Sequence, residues 1–166
     1  GVVYAESRLA PEEVVDADAS GRLTMDDAIA AMARGFASRS SLGIELRTIV
    51  CAMRNGDVSS EAAAAAVRGR DHGVGGFDIA GPEAGFPPLE HLAAFDIARA
   101  GGLGVTIHAG EAAGIGAIRE ALVDCGADRL GHGVRIVDEV GFDGDGAAVL
   151  GPVATIVHDT GTCLEL

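Results

Sequence analysis

Short apolar runs recur along this chain, each separated from the next by a stretch with helical character. The runs are Val2–Leu9, Ile44–Met53, Val74–Ala80, Gly104–Ala109, Arg129–His132 and Cys163–Leu166. Several are apolar at nearly every position, which suits strands covered on both faces. Met25, Ala28, Ile29, Met32, Ala33 and Phe36 follow the spacing of an amphipathic helix. Just before them, Thr24-Met25-Asp26-Asp27 resembles a capping box with Asp in place of Glu. Leu89, Leu92, Ala93, Ile97 and Ala100 make a second stripe, stopped by Gly101-Gly102. Ile115, Ile118, Ala121, Leu122 and Cys125 make a third, stopped by Gly126, and the Ala-rich Glu61–Arg70 is helical on propensity. The stretch 144–160 is ambiguous, because Pro152 interrupts any helix drawn through it. Such alternation demands a parallel sheet with helical crossovers, since parallel neighbours cannot be joined by a tight turn.

Two closures satisfy that demand. A doubly wound nucleotide binder carries a Gly-rich loop straight after its first strand, and here the first run leads into Leu9-Ala10-Pro11-Glu12. A (β/α)₈ barrel takes about 250 residues and eight strands. At 166 residues with six runs, the barrel reading requires two missing units. The chain opens directly into GVVYAES and stops within TCLEL, which predicts a piece of a longer protein. The expectation is one domain over residues 1–166, with no linker or low-complexity segment.

Charge narrows the partners. Asp and Glu number 25 against 12 basic residues, all Arg, for a net charge of −13. Such a surface repels phosphate backbones and anionic headgroups, so neither nucleic acid nor membrane is expected as a partner. No apolar run approaches a membrane span and no secretory leader is visible, so a soluble, cytoplasmic protein is expected. Cys51, Cys125 and Cys163 are far apart and odd in number, which reads as reduced, mostly buried thiols.

Polar residues gather where the strands end, the edge at which parallel αβ proteins build sites. Gly81 and Glu83 follow the third run, His108 and Glu111 the fourth, and His132 the fifth. Two strand ends presenting imidazole suit proton transfer or zinc ligation. In Thr106-Ile107-His108-Ala109-Gly110-Glu111, Gly110 lets the backbone turn so that Glu111 re-aims towards the same cavity. Taken alone, a His-x-x-Glu is more often a capped strand followed by a helix start near Ala113. In Arg129-Leu130-Gly131-His132-Gly133 the glycines leave His132 uncovered, which suits a ligand-facing role, and a buried histidine bonded to backbone explains the segment equally. Gly81 allows close backbone approach to a ligand, while a tight strand-to-loop turn is its ordinary explanation. His72, His91 and His158 read as structural or solvated, Asp138–Asp145 as a solvated surface turn, and Arg8 with Glu6 as a structural ion pair.

Together, FDIAGPEAGFPP, TIHAGE and RLGHG, in this order and at these separations, resemble the adenosine deaminase family of zinc aminohydrolases. VVYAESRLAPE and IELRTIVCAMR are similar to that family's second and third barrel strands, so the likeness covers nearly the whole chain. It implies an incomplete (β/α)₈ TIM barrel holding about strands 2 to 7, with the site at the C-terminal face. It makes His108 a ligand of one Zn²⁺, Glu111 the acid that protonates purine N1, and His132 the group that orients the attacking water. Gly81 would donate its backbone N–H to the purine ring. The implied reaction is zinc-assisted hydrolysis of adenosine or 2'-deoxyadenosine, a small-molecule purine nucleoside, to the inosine product and ammonia.

The departures are equally specific. The family's first strand carries a His-x-His pair of zinc ligands, absent from this chain, and its eighth supplies two aspartates that lie beyond Leu166. A catalytic zinc needs three or four protein ligands. The alternatives are therefore a related aminohydrolase acting on adenine, a modified adenosine or AMP, or an inactive fragment lacking the other ligands. Oligomeric state is not legible.

Overall fold

All six apolar runs become strands of one parallel sheet in the computed structural model, which describes residues 1–166 apart from the Ser40 side chain. In chain order the elements are β1 (Tyr4–Leu9), α1 (Pro11–Asp16), α2 (Met25–Ala37), β2 (Glu45–Met53), α3 (Ser59–Arg68) and β3 (Val74–Ala80). They continue with α4 (Leu92–Ala100), β4 (Gly104–Ala109), α5 (Ile115–Arg119) and β5 (Arg129–His132). Then come β6 (Val140–Phe142), β7 (Ala148–Leu150), α6 (Pro152–Thr160) and β8 (Cys163–Glu165). The sheet order is β1-β2-β3-β4-β5-β8, every neighbour parallel.

The two faces of the sheet differ. Val50, Ala52, Phe77, Ile79, Val105, Ile107 and Leu130 are buried against the helices, in a core with Ile29, Ala62, Ala66, Phe95 and Ile118. The alternate positions bring Glu6, Arg8, Asp78, Thr106, His108, Arg129 and Glu165 to the opposite face. There the first and last strands meet. Arg8 pairs with Asp78 and with Glu165, and Arg129 bridges Glu6 at 2.7 Å and Glu165 at 3.2 Å. In a flat sheet β1 and β8 would stand roughly 24 Å apart at the usual strand spacing. The ion network therefore requires a sheet curled into a partial barrel, and these charges sit inside it.

Three details differ from the sequence expectation. Arg8 and Glu6 do not pair with each other, because each reaches across the curled interior to a different strand. Burial opposes ionisation of Glu6, but Arg129 and the Tyr4 hydroxyl outweigh it and lower its proton affinity. The stretch from Asp138 is more than a turn. A short 3₁₀ segment over Val134–Glu139 leads into the antiparallel hairpin β6–β7, whose turn is tied by Asp143 accepting from the Asp145 and Ala147 amides. Pro152 opens α6 instead of breaking it, since a helix's first turn needs no donor there.

The Thr24 box forms as expected, with the Asp27 N–H donating to Thr24 and the Asp27 carboxylate accepting from the Thr24 N–H. His91 is buried between Ser59 and the Arg54 carbonyl, a structural role, while His158 is exposed beside Asp159. Cys51 and Cys125 are buried and Cys163 is exposed. Burial pushes the Cys125 thiol up to about 11. Among the described residues, no helix is long and apolar enough to cross a membrane.

Candidate active site

The C-terminal ends of β3, β4 and β5 converge on one edge of the barrel interior. His108, next to last in β4, turns its ring inward beside β5, opposite Gly131 in the register. A Cβ at Gly131 would stand 2.7 Å from the His108 ring. Gly131 is thus the space in which that imidazole lies. Gly131→Ala is expected to displace the ring and lower unfolding free energy by about 1–3 kcal/mol. Denaturant unfolding checks this, and an unchanged midpoint would show that the ring is not held there.

The other side of His108 is anchored. Its Nδ1 lies 3.1 Å from Asp78 Oδ1, and Asp78 Oδ2 accepts from Arg8 Nε at 2.6 Å. Asp78 is fully buried within β3, between Phe77 and Ile79. An ionised carboxylate only accepts, so a neutral His108 would donate from Nδ1 to Asp78 and leave the Nε2 lone pair free. That is the carboxylate–histidine arrangement used to orient metal ligands.

His132 ends β5 in an unusual conformation. Its φ is +62°, the only positive value outside glycine among the described residues, and Gly133 follows at +69°. A left-handed residue with a Cβ costs on the order of 1–3 kcal/mol and persists where the surroundings over-determine it. Here the Gly133 N–H donates to the Ala109 carbonyl at 2.9 Å, which ties the turn to β4. The consequence is geometric. The His108 and His132 rings stand edge to face with centroids 5.3 Å apart. His132 Nε2 reaches to 3.6 Å from Glu111 Oε2.

Glu111 lies beyond β4 in a turn that begins at Gly110, φ +74°. The following helix starts at Ile115, two residues later than the sequence suggests. The turn is held by Glu83, which accepts from the amides of Gly110, Glu111, Ala112 and Ala113. Burial favours the neutral Glu83 carboxyl, but these donors outweigh it and hold its proton affinity below the usual range. Gly81, φ +100°, turns the chain out of β3, packed so closely that a Cβ would meet Met53 Cε at 3.0 Å.

His108, Glu111 and His132 are therefore brought together, and Gly81 caps the adjacent strand. Sequence reasoning assigned no role to Asp78 or to Glu83. A charged residue inside the apolar run Phe77–Ala80 is the signal for the first, since an isolated aspartate is rarely buried without a partner. Among the described residues, no group of three or more His, Cys, Asp or Glu side chains converges to hold a metal ion.

Comparison with known proteins gives a consistent result. Residues 1–154 match the family model described as Adenosine deaminase. The adenosine deaminase of Mycobacteroides abscessus is 49% identical over 172 aligned residues, covering 100% of this chain and 46% of that protein. That of Mycobacterium leprae is 48% identical, covering 99% and 46%. The chain thus spans a little under half the length of these relatives. Among solved structures, adenine deaminase from Arthrobacter aurescens superposes with a TM-score of 0.76 at 23% identity, over 99% of this chain and 46% of that one. An amidohydrolase from Burkholderia ambifaria with bound zinc superposes at 0.70 and 30% identity, over 81% and 37%.

Proposed function

The chain belongs to the adenosine deaminase family, and from that premise we propose that the protein containing it hydrolyses adenosine, or 2'-deoxyadenosine, to the inosine product and ammonia. The observation that carries this reading is the convergence of Glu111 and His132 beside a His108 whose far nitrogen is fixed by a buried carboxylate.

The donor chemistry at His108, an imidazole backed by a buried carboxylate, suits a zinc ion. His108 would hold it through Nε2, with Asp78 behind the ring, and the remaining ligands would come from outside these residues. When bound, zinc supplies a water whose pKa is lowered towards about 7. The chain's own groups do the rest. Glu111 delivers a proton to purine N1, where electron density accumulates as water adds to C6. His132 orients the attacking water and takes up charge beside it. The Gly81 N–H donates to the purine ring and sets its position. His132 passes the proton it takes from the water to the amino group, the C6–N bond breaks and ammonia leaves, and the remaining hydroxyl proton returns to Glu111 as the former water oxygen becomes the 6-oxo group.

The test follows adenosine absorbance in the zinc-loaded whole protein, with AMP and adenine alongside. Stoichiometric zinc with conversion of adenosine supports the reading. A zinc-loaded protein that leaves adenosine intact sinks it, and preferential turnover of AMP or adenine would reassign the substrate.

A further inference from the structure

Glu83 has no place in the proton transfers just described, yet it makes more backbone hydrogen bonds than any other side chain near the site. Its Oε1 accepts from the Gly110 N–H at 2.6 Å. Its Oε2 accepts from Glu111 at 3.0 Å, Ala112 at 2.7 Å and Ala113 at 2.8 Å. Four successive amides thus point at one carboxylate that is only 9% exposed. Residues 110–114 belong to no helix or strand, so no ladder sets their course. Just upstream, the buried Arg54 donates through Nη2 to the His108 carbonyl.

We propose that Glu83 is a positioning residue: with Arg54 it clamps the main chain over 108–113 and thereby fixes the point from which Glu111 acts. The inference rests on the proposed role of Glu111 and deepens it. Charge-assisted hydrogen bonds are the stronger kind, and several on one acceptor define direction as well as distance. With the Glu111 N–H held and Gly110 locked above Ile118, where a Cβ would come within 2.5 Å, only the side-chain torsions of Glu111 remain free. Glu83 is carried to this position by the Gly81-Pro82 turn at the end of β3. The strand β3 and the turn that follows it therefore supply Asp78 for His108 and Glu83 for Glu111, coupling the placement of the proposed ligand to that of the proposed acid.

The test uses the zinc-loaded whole protein. Glu83→Gln puts an amide donor among donors, and is expected to lower kcat about 100-fold with zinc content unchanged, the scale of a misplacement near 1 Å. KM should move by no more than about threefold, since Glu83 contacts no substrate. Glu83→Asp keeps the charge on a shorter arm and is expected to recover part of the loss, which also covers misfolding of the Gln variant. Hydrogen exchange at residues 110–113 should accelerate about tenfold or more in Glu83→Gln, with β4 unaffected.

The decisive measurement is a double-mutant cycle. If Glu83 acts through Glu111, adding Glu83→Gln to Glu111→Gln costs nothing further. Losses that multiply, or unchanged exchange at 110–113, overturn the proposal. A wild-type protein that binds zinc but does not deaminate adenosine overturns the functional reading instead. Exchange alone then decides the clamp, upheld by acceleration and refuted by its absence.

Discussion

Glu111→Gln in the whole protein is expected to retain zinc and lose turnover by about 10²–10⁴-fold, the range over which a positioned general acid contributes. The substitution is close to isosteric. A glutamine can still donate a hydrogen bond towards purine N1, but it has no proton to transfer. Substrate binding should therefore change little and kcat should carry the loss, the pattern of an interaction made in the transition state. Zinc should stay because Glu111 lies on the His132 side of the site, 3.6 Å from Nε2, whereas the proposed ligand His108 is anchored by Asp78. The measurement pairs adenosine absorbance with metal analysis of the same sample. Turnover within about threefold of wild type, on the same scale, would remove Glu111 from the mechanism.

The fold was largely legible because burial on both faces leaves an unmistakable mark. The Ile49–Ala52 and Val105–Ile107 stretches are buried at every position, and no amphipathic helix of that length reads that way. Three strands keep the bounds of their apolar runs, and the other three move at one end by one or two residues, as fraying ends do. Less was legible where local signals are weak. Helix α1 has only six residues, and the β6–β7 hairpin leaves Phe142 and Val149 exposed, so neither carries a hydrophobic period. Pro152 misled because one residue type both breaks helices and opens them.

The site divides in the same way. His108, Glu111 and His132 stand out because they end strands or follow them in short polar motifs. Asp78 and Glu83 act on residues 30 and 27–30 positions away, and such contacts exist only after the sheet has formed. Gly131 is a mixed case. As a sequence signal it reads as uncovering His132, but in the structure it makes room for His108 on the neighbouring strand.

The longest-range consequence of this arrangement concerns Asp78. Asp78→Asn is expected to weaken zinc binding by about 10–100-fold, the usual cost of losing a partner behind a metal-ligating histidine. Two effects act together. The asparagine must satisfy Arg8 Nε and His108 Nδ1, both donors, with a single carbonyl oxygen, so one is left facing an amide N–H. Orienting its oxygen towards Arg8 removes the acceptor that keeps the His108 proton on Nδ1. The proton is then free to move to Nε2, the nitrogen required for the metal. A buried donor left without an acceptor also costs about 1–3 kcal/mol of stability, so the unfolding midpoint should fall even with zinc removed. Arg8 keeps Glu165 as a partner, which limits that loss and leaves the protein folded enough to titrate. Chelator competition reads the affinity, and denaturant unfolding of the metal-free protein reads the stability. Wild-type zinc affinity in Asp78→Asn would mean that His108 is oriented by something other than β3, and would remove the support for its role as a ligand.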